Sequence, residues 1–387
     1  MMTTATHHPQ KPPGPGGEVA ARLSDVHIGF GSGRRATPIV RGVDLELHRG
    51  RVLALVGESG SGKSLTALSL IGLLPPGAAA TSGTITLGGR DVAGFSAARW
   101  REARGREVAM VFQDPMAALN PGFTVGRQVA EPFRRRLGDD RRTARAKAVA
   151  LMAEVGIADA DARFDAYPHE FSGGMRQRAV IAMALALGPR VLLADEPTTA
   201  LDVTVQAQIL RLLARRQREA DLATLLVSHD LGVVARIAQE VAVMYAGRVV
   251  ERGPLDAVYT RPAHPYTLGL LRAVPDAETE AGGLRPIPGQ PPDPRRLPGG
   301  CAFHPRCPFA TGRCLTDDPP LVPAGAGRAV ACHNSDAVTA ETAPGGRAGK
   351  AGGEKGGGAD GGADGSGNGG AERHGGQEPG ERTEEAR

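Results

Sequence analysis

Hydrophobic and polar positions follow two different periods along the chain. Residues 19–30 and 43–47 alternate with the two-residue period of half-buried strands, and residues 51–56 form a continuous run dominated by apolar side chains. A short continuous run bounded by turn signals is typical of a strand that is buried on both faces of a parallel sheet. The pattern therefore predicts three strands near the start of the chain, with the third in the core.

After residue 56, helical patterns and strand patterns alternate along the chain. Helical periodicity covers residues 65–74, residues 125–187 and residues 205–219. Short apolar runs typical of strands occupy residues 84–87, 108–112, 191–194 and 224–227. Strands that alternate with helices predict an α/β sheet with helices on both faces, and the helical block at 125–187 is then an insertion into it.

Glycine and proline are concentrated towards the two ends of the chain. The 387 residues include 54 Gly and 30 Pro, and residues 1–17 and 336–387 hold much of this excess. Polar segments of low complexity bury too little apolar surface to offset the entropy of ordering, so we expect both tails to be disordered. After residue 260 the chain becomes rich in Pro, Gly and Arg and carries every Cys, which predicts a small accessory domain at 261–335.

Charge and hydropathy exclude several classes of protein. Lys and Arg total 46 against 42 Asp and Glu, a net charge of +4 without a dominant basic block, so we expect no nucleic-acid partner. The longest apolar run, at 179–187, is half of what a membrane-spanning helix needs. The N-terminus lacks the apolar stretch of a secretory signal. We therefore expect a soluble, intracellular protein.

A glycine-rich motif follows the buried strand directly. Residues 57–64 read Gly-Glu-Ser-Gly-Ser-Gly-Lys-Ser and fit the phosphate-loop pattern G-x-x-x-x-G-K-[ST], between a strand and a helix as its mechanism requires. Glycines let backbone N–H groups wrap phosphates, and the helix N-terminus favours negative charge. We expect Lys63 to reach the β- and γ-phosphates and Ser64 to ligate Mg²⁺. The predicted nucleotide-binding positions here are Gly57, Ser59, Gly60, Gly62, Lys63, Ser64 and Leu65.

Two adjacent carboxylates end the apolar run at 191–194. Asp195 and Glu196 would lie at the C-terminal end of a strand, where α/β sheets bind ligands. Asp195 would hold Mg²⁺, and Glu196 would act as the general base for an attacking water, which suits hydrolysis. Alternatively, these acids only cap the following helix. The presence of a phosphate-loop motif in the same chain makes a nucleotide site the preferred interpretation.

Residues 171–178, Phe-Ser-Gly-Gly-Met-Arg-Gln-Arg, resemble the signature segment of ATP-binding-cassette (ABC) ATPases, usually L-S-G-G-Q, about 20 residues before the Asp-Glu pair. Other elements of that family occur in the expected order. They are Phe30 in place of an adenine-stacking aromatic residue, the Q-loop Phe112-Gln113, the D-loop Thr199-Ala200-Leu201-Asp202, and the histidine switch Ser228-His229-Asp230.

The resemblance implies an ABC cassette of the P-loop NTPase class at residues 18–260. Its fold would be a parallel sheet core with an antiparallel β subdomain and a helical subdomain at about 124–188. Two cassettes would close around two ATP molecules, each held between one subunit's phosphate loop and the other subunit's signature. The residues implied to contact ATP, Mg²⁺ or the attacking water are Phe30, Gln113, Ser172, Gly173, Gly174, Asp202 and His229.

Finer features resemble the ATPases of oligopeptide and dipeptide importers. These features are Gln113-Asp-Pro-Met-Ala-Ala-Leu-Asn-Pro121, the Met175 form of the signature, Asp195-Glu-Pro-Thr-Thr-Ala-Leu-Asp-Val-Thr-Val-Gln206, Arg261-Pro-Ala-His-Pro-Tyr-Thr267 and the cysteine-bearing residues 301–333. The resemblance implies an ATP-hydrolysing subunit at the cytoplasmic face of the cell membrane. Its partners would be a homologous second ATPase, two permease subunits and an extracytoplasmic binding protein. Nickel or another small solute as cargo, and a non-transport ATPase acting on nucleic acid, are the alternatives.

The four cysteines, Cys301, Cys307, Cys314 and Cys332, lie within 32 residues. Disulfides rarely persist in a reducing compartment, which favours a metal site. The spacing lacks the C-x2-C pairs of common zinc ribbons, while four thiolates suit a [4Fe–4S] cluster. The importer resemblance implies such a cluster, so we expect iron–sulfur before zinc, with free thiols as a third possibility.

Overall fold

The structure, a computed structural model, describes residues 17–31, 36–199, 201–273 and 286–342. The strands in these ranges are β1 (Val19–Phe30), β2 (Thr37–His48), β3 (Val52–Val56), β4 (Ala78–Leu87), β5 (Arg90–Asp91), β6 (Val108–Val111), β7 (Val191–Asp195), β8 (Ala223–Ser228), β9 (Glu240–Tyr245), β10 (Arg248–Pro254), β11 (Val322–Pro323) and β12 (Ala329–Val330). The α-helices are α1 (Lys63–Leu70), α2 (Ala97–Ala103), α3 (Pro115–Ala118), α4 (Val125–Leu137), α5 (Arg141–Glu154), α6 (Gly173–Leu185), α7 (Val203–Glu219), α8 (Leu231–Ile237), α9 (Leu255–Thr260), α10 (Pro265–Arg272), α11 (Gly312–Thr316) and α12 (Ser335–Thr342).

The predicted buried strand, β3, lies inside an eight-stranded sheet of order β11-β12-β10-β9-β3-β8-β7-β6. All five β3 residues are buried, and β3 pairs in parallel with β8 on one side and β9 on the other. The β7 strand pairs in parallel with β8 and β6. Parallel strands present their C-terminal ends at one edge of a sheet, so the motifs that follow β3, β6, β7 and β8 meet there.

A second, antiparallel sheet of order β2-β1-β4-β5 packs its apolar face against one face of the core sheet. Its β1 strand and the second half of β2 are the two strands predicted from alternation, and β2 begins earlier than predicted, at Thr37. The β4 strand begins at Ala78, six residues before the predicted start, because its exposed first half carries no alternating pattern. The mixed α/β cassette with an antiparallel subdomain is therefore present.

The helical block resolves into α4, α5 and α6, with a long stretch of turns between α5 and α6. Gly138, in the left-handed conformation at φ 76°, ends α4. The predicted helical block at 125–187 is therefore broken into separate helices. Likewise, α1 ends at Leu70 and not at the predicted residue 74, because Gly72 takes φ 64°. Among the described residues, no helix is both long enough and apolar enough to cross a bilayer.

The C-terminal segment, defined here as residues 261–342, joins the core sheet. Its β12 strand pairs antiparallel with β10, and β11 adds outside β12. Glu251 of β10 is fully buried, and its carboxylate accepts hydrogen bonds from the backbone N–H groups of Ala263 (2.8 Å) and His264 (3.0 Å). Main-chain pairing and a buried carboxylate therefore join the C-terminal segment to the cassette.

The predicted tails fall largely outside the described residues. Residues 1–16 and 343–387 of the tails are not among the described residues. Ala200 of the predicted D-loop also lies outside them. Residues 335–342, which the composition placed at the edge of the C-terminal tail, form α12 instead. Val338 is fully buried, and Glu341 pairs with Arg272 of α10, so tertiary contacts order this helix.

Candidate active site

The phosphate loop (residues 57–64) connects β3 to α1. Gly62 takes φ 102° at the helix N-cap, where it has no side chain to cap the first turn, so the helix N-terminus remains open to a ligand. Gly57, at the start of the loop, lies against the backbone of Met244. A Cβ atom there would lie 2.1 Å from the carbonyl oxygen of Met244, so the start of the loop requires glycine.

The Lys63 side chain folds back across this loop. Its Nζ donates hydrogen bonds to the carbonyl oxygens of Gly57 (2.8 Å) and Glu58 (2.9 Å). Burial lowers the pKa of Lys63, while nearby carboxylates, Glu196 first among them, act in the opposite direction. The loop therefore curves around a buried amine at the position where a phosphate chain would lie.

Ser64 and Asp195 meet across the C-terminal ends of β3 and β7. The Ser64 hydroxyl donates a hydrogen bond of 3.1 Å to Oδ1 of Asp195. Burial raises the pKa of Asp195, although the Ser64 hydrogen bond and the Lys63 charge lower it. One hydroxyl and one carboxylate oxygen side by side are the kind of ligands that Mg²⁺ takes in nucleotide sites.

Three side chains converge on the carboxylate of Glu196. Nδ1 of His229 lies 3.0 Å from Oε1, while the Gln113 amide (3.0 Å) and the Thr199 hydroxyl (2.9 Å) donate to Oε2. Burial acts to raise the pKa of Glu196, but hydrogen bonds from His229 and Thr199 outweigh it and leave that pKa below its usual value. Glu196 therefore remains an ionised proton acceptor in a fixed orientation.

The backbone at Glu196 is also unusual. Its φ is 46°, in the left-handed region that residues with a Cβ rarely occupy. The Glu196 N–H bonds to the carbonyl oxygen of Val227 on β8 (3.0 Å), which holds the conformation in place. Such strain is commonly maintained where a side chain must point into a functional site.

The remaining predicted site residues lie elsewhere on the surface. Ser172 caps α6 by accepting a hydrogen bond from the Met175 N–H (3.3 Å), and Asp202 caps α7 in the same way. Phe30, 38% exposed, ends β1. Among the described residues, no hydrogen bond joins Ser172, Asp202 or Phe30 to Lys63 or Glu196.

Other predicted positions are placed as follows. Ser59 and Gly60 are exposed on the phosphate loop, and Leu65 packs against the core below it. Gly173 and Gly174 form the first turn of α6, and a Cβ on Gly174 would lie 2.6 Å from a methyl group of Val205 in α7. The signature glycine Gly174 therefore also serves close helix packing.

Sequence reasoning missed Thr199 as a contact of Glu196. Its position three residues after Glu196, in a turn that leads to α7, was the available signal, because such spacing returns a hydroxyl to the earlier side chain. It also missed Tyr266 and Arg306, which bond to Glu58 of the phosphate loop. Tyr266 lies in the motif at residues 261–267, but nothing in the sequence joins that motif or Arg306 to Glu58, since more than 200 residues separate them from it.

The four cysteines are free and line one small pocket, together with His264, His304 and His333. Burial raises the pKa of Cys307 to about 11 and that of Cys332 to about 12. Asn334 links two of the sulfurs, donating its backbone N–H to Cys332 (3.4 Å) and its side-chain amide to Cys314 (3.5 Å).

Within the described residues, however, no three His, Cys, Asp or Glu side chains are arranged so that they could hold a metal ion. The predicted iron–sulfur cluster and its zinc alternative thus lack support from the side-chain geometry.

A glycine loop at a helix N-terminus, a lysine inside it, and a strand-end Asp-Glu pair opposite define a P-loop nucleotide-hydrolysing protein. Comparison with known proteins narrows this class. Residues 40–199 match the family described as ABC transporter, and residues 250–314 match the one described as oligopeptide/dipeptide transporter, C-terminal region. The chain belongs to the ABC transporter ATP-binding proteins and is an ATPase of that family.

Two curated relatives illustrate this membership. The dipeptide transport ATP-binding protein DppD of Bacillus subtilis is 47% identical over 292 residues, which cover 75% of this chain and 87% of DppD. A Brucella melitensis protein, described as a candidate peptide import ATP-binding protein, is 49% identical over 304 residues, 76% of this chain and 90% of that protein.

Solved structures agree on the cassette fold. The ATP-binding cassette MJ0796, in a dimeric post-hydrolysis state bound to ADP and Pi, matches with a TM-score of 0.55 and 26% identity, covering 61% of this chain and 98% of that one. CbiO1 of Clostridium perfringens, part of the ABC transporter complex cbiONQ, matches with a TM-score of 0.55 and 25% identity, covering 62% and 90%.

Proposed function

We propose that this chain is the ATP-hydrolysing subunit of an importer that moves di- and oligopeptides across the cytoplasmic membrane. The observation that carries this proposal is the convergence of Gln113, Thr199 and His229 on Glu196, beside the phosphate loop. The match of the C-terminal region to oligopeptide/dipeptide transporters, and the names of the relatives, support peptides as the cargo.

Lys63 and the loop N–H groups bind the phosphates in this proposal. The Lys63 ammonium exchanges its carbonyl partners, Gly57 and Glu58, for β- and γ-phosphate oxygens. Ser64 and Asp195 are the residues that would hold Mg²⁺, which supplies charge neutralisation on the phosphates when bound.

Glu196 accepts a proton from the attacking water. Its lowered pKa keeps the carboxylate ionised at neutral pH, and three hydrogen-bonding neighbours fix its direction. His229 and Gln113 lie on opposite oxygens of this carboxylate, so each is placed to contact the γ-phosphate or the water on its own side. A general base held in this way favours hydrolysis over transfer to a substrate hydroxyl.

Ser172, Gly173, Gly174 and Asp202 complete the site of a second cassette. Among the described residues no hydrogen bond joins Ser172 or Asp202 to Lys63 or Glu196, which supports a role in trans, because the first N–H groups of a helix lack partners within the helix and can bind an anion. The MJ0796 cassette is dimeric, which supports the pairing of two cassettes. We propose a homologous, non-identical ATPase as the partner and Phe30 as the adenine contact.

The remaining partners follow from the importer assignment. In this assembly two permease subunits would form the path, and an extracytoplasmic binding protein would deliver the peptide. The ATPase would bind the permeases at the cytoplasmic face of the membrane.

We also propose that the four cysteines hold a metal centre, a [4Fe–4S] cluster in preference to zinc. Their shared pocket and the Asn334 hydrogen bonds to two sulfurs support this, because hydrogen bonds to sulfur tune such clusters. The thiols must move together and lose their protons to bind it. Anaerobic purification with iron, sulfide and zinc analysis tests the proposal, with Cys307→Ser as the variant that should lose the metal.

Reconstitution tests the transport function. Proteoliposomes that contain the chain with its partner ATPase and permeases, and that are supplied with the binding protein, should take up a labelled dipeptide or oligopeptide in an ATP-dependent way. Glu196→Gln in the same complex should abolish uptake. Uptake of a nickel chelate or another small solute in place of peptides would keep the ATPase assignment and overturn the peptide assignment.

A further inference from the structure

Glu58, the second residue of the phosphate loop, is bound by the C-terminal segment through its side chain. Arg306 donates from Nη1 to Oε2 of Glu58 (2.6 Å) and from Nη2 to Oε1 (2.9 Å). Two parallel bonds between a guanidinium and a carboxylate form the strongest and most directional ion pair available to proteins. The pair joins residues that are 248 positions apart.

The backbone of Glu58 is held as well. Its N–H donates a hydrogen bond of 2.7 Å to the Tyr266 hydroxyl, and its carbonyl oxygen accepts one of 2.9 Å from Lys63. The C-terminal segment therefore supplies the partners of both the side chain and the N–H of Glu58. The partner of the Glu58 carbonyl oxygen is Lys63, the residue proposed to bind phosphate.

Arg306 is anchored on the side away from Glu58. Its side chain is 5% exposed, and Nε donates to the carbonyl oxygen of Pro288 (2.8 Å). The Phe303 ring packs against Tyr245 and Tyr266, with ring centroids 5.2 and 5.5 Å apart. Exposed ion pairs contribute little because water screens them and their side chains move freely, but here Arg306 is buried and the Glu58 side chain is only 24% exposed.

We propose that Arg306 and Tyr266 are positioning residues for nucleotide binding. Through their contacts with Glu58 they hold the backbone of the phosphate loop in the conformation that binds phosphate. When Lys63 leaves the carbonyl oxygens of Gly57 and Glu58 for phosphate oxygens, the loop loses two hydrogen bonds and keeps the weaker one from the Ser61 N–H to the Glu58 carbonyl oxygen (3.3 Å). The two contacts from the C-terminal segment then keep the loop N–H groups directed inward. A preorganised loop binds ATP more tightly, because less ordering remains to be done on binding.

Two conservative variants test this role. Arg306→Lys keeps the charge but cannot form both bonds to Glu58, and Tyr266→Phe removes only the oxygen that accepts the Glu58 N–H. In the wild-type subunit, the Kd for Mg-ATP and the KM and kcat of ATP hydrolysis give the reference. We expect each variant to raise Kd and KM roughly 5- to 20-fold, as for loss of one hydrogen bond, with kcat changed less than about twofold.

Arg272→Lys is the matched control. Arg272 bonds to Glu341 (2.5 Å) within the same C-terminal segment, away from the phosphate loop, so this variant should leave Kd and KM unchanged. The double variant Glu58→Gln/Arg306→Lys should bind ATP no more weakly than the weaker of its two single variants, because both remove the same interaction.

The outcomes separate this inference from the proposed function on which it rests. Wild-type Kd and KM in folded Arg306→Lys and Tyr266→Phe variants would overturn the positioning role and leave the ATPase assignment intact. Failure of the wild-type subunit to bind Mg-ATP would overturn both. If circular dichroism finds Arg306→Lys unfolded, Tyr266→Phe decides the question, since it deletes one oxygen from a ring that stays packed.

Discussion

Nδ1 of His229 lies 3.0 Å from Oε1 of Glu196, although 33 residues separate them. The contact joins the loop after β8 to the end of β7, two adjacent parallel strands. It lowers the pKa of a carboxylate that burial would raise, and so sets the charge of the proposed general base. The chemistry assigned to this site therefore depends on strand order as much as on residue type.

Glu196→Gln should reduce ATP turnover by about 10²- to 10⁴-fold, the usual contribution of a positioned general base, while ATP still binds. The amide keeps the shape of the side chain but cannot accept the proton of water, and Lys63 and Ser64 are unchanged. Phosphate release and nucleotide binding measure the two effects. Thr199→Val, which removes one hydrogen bond to the carboxylate, should cost less than about tenfold. Undiminished turnover in Glu196→Gln would rule out the assigned role.

Gly174→Ala should destabilise the protein, whereas Gly173→Ala should not. The added Cβ at position 174 would lie 2.6 Å from Val205, a β-branched side chain with one favoured rotamer in its helix, while at 173 the nearest atom is 3.8 Å away. We expect a loss of about 1–3 kcal/mol in the free energy of unfolding for Gly174→Ala. For Gly173→Ala we expect a change within about 1 kcal/mol, since Ala suits helices better than Gly. Urea unfolding of both variants compares them, and equal stabilities would contradict the packing argument.

Gly57→Ala should prevent formation of the phosphate loop, while Gly60→Ala should leave the fold intact. At Gly57 the new Cβ would lie 2.1 Å from a backbone oxygen that cannot move aside. Gly60, at φ 78°, has open space around it, so alanine there adds only the cost of a left-handed residue, about 1–2 kcal/mol. Thermal unfolding and Mg-ATP binding measure the difference. A folded Gly57→Ala protein with wild-type affinity would show that the loop is built differently.

His264 should make the protein less stable as the pH falls. Burial lowers the pKa of His264 from its ordinary value near 6.5 to about 3, and the ring accepts a hydrogen bond from the Tyr266 N–H (3.0 Å). Between these two pH values the unfolded chain binds a proton that the folded chain does not, so stability is full above pH 6.5 and is lost below it. This group alone should cost about 2 kcal/mol between pH 7 and pH 5.

His264→Asn isolates that effect. Asparagine retains an oxygen that can cap α10 but does not titrate in this range. Burial raises the pKa of Glu251, which acts in the opposite direction, so the difference between wild type and variant is the informative quantity. Urea unfolding at several pH values should give a shallower loss of stability in the variant. An identical pH dependence in both proteins would show that His264 is not buried as a neutral ring.

The amino-acid sequence by itself determined the parts of this protein that depend on neighbours in the chain. The phosphate loop requires glycine, lysine and serine at short spacings. The buried strands that precede the loop and Glu196 can be predicted from their continuous apolar runs. The family followed from motifs whose order along the chain is itself informative, and the comparisons confirmed it. Element ends were less accurate where single glycines, such as Gly72 and Gly138, stop a helix.

Only the tertiary structure decided which distant residues meet. The pairing of β12 with β10 brings the C-terminal segment onto the core sheet, and the contact of Arg306 with Glu58 depends on that segment's packing. A partly buried ion pair between positions 248 residues apart leaves no periodicity or local spacing that could be detected in the sequence. The physical reason is that such contacts are selected by burial and by the fit of two surfaces, and both come into existence only when the chain has folded.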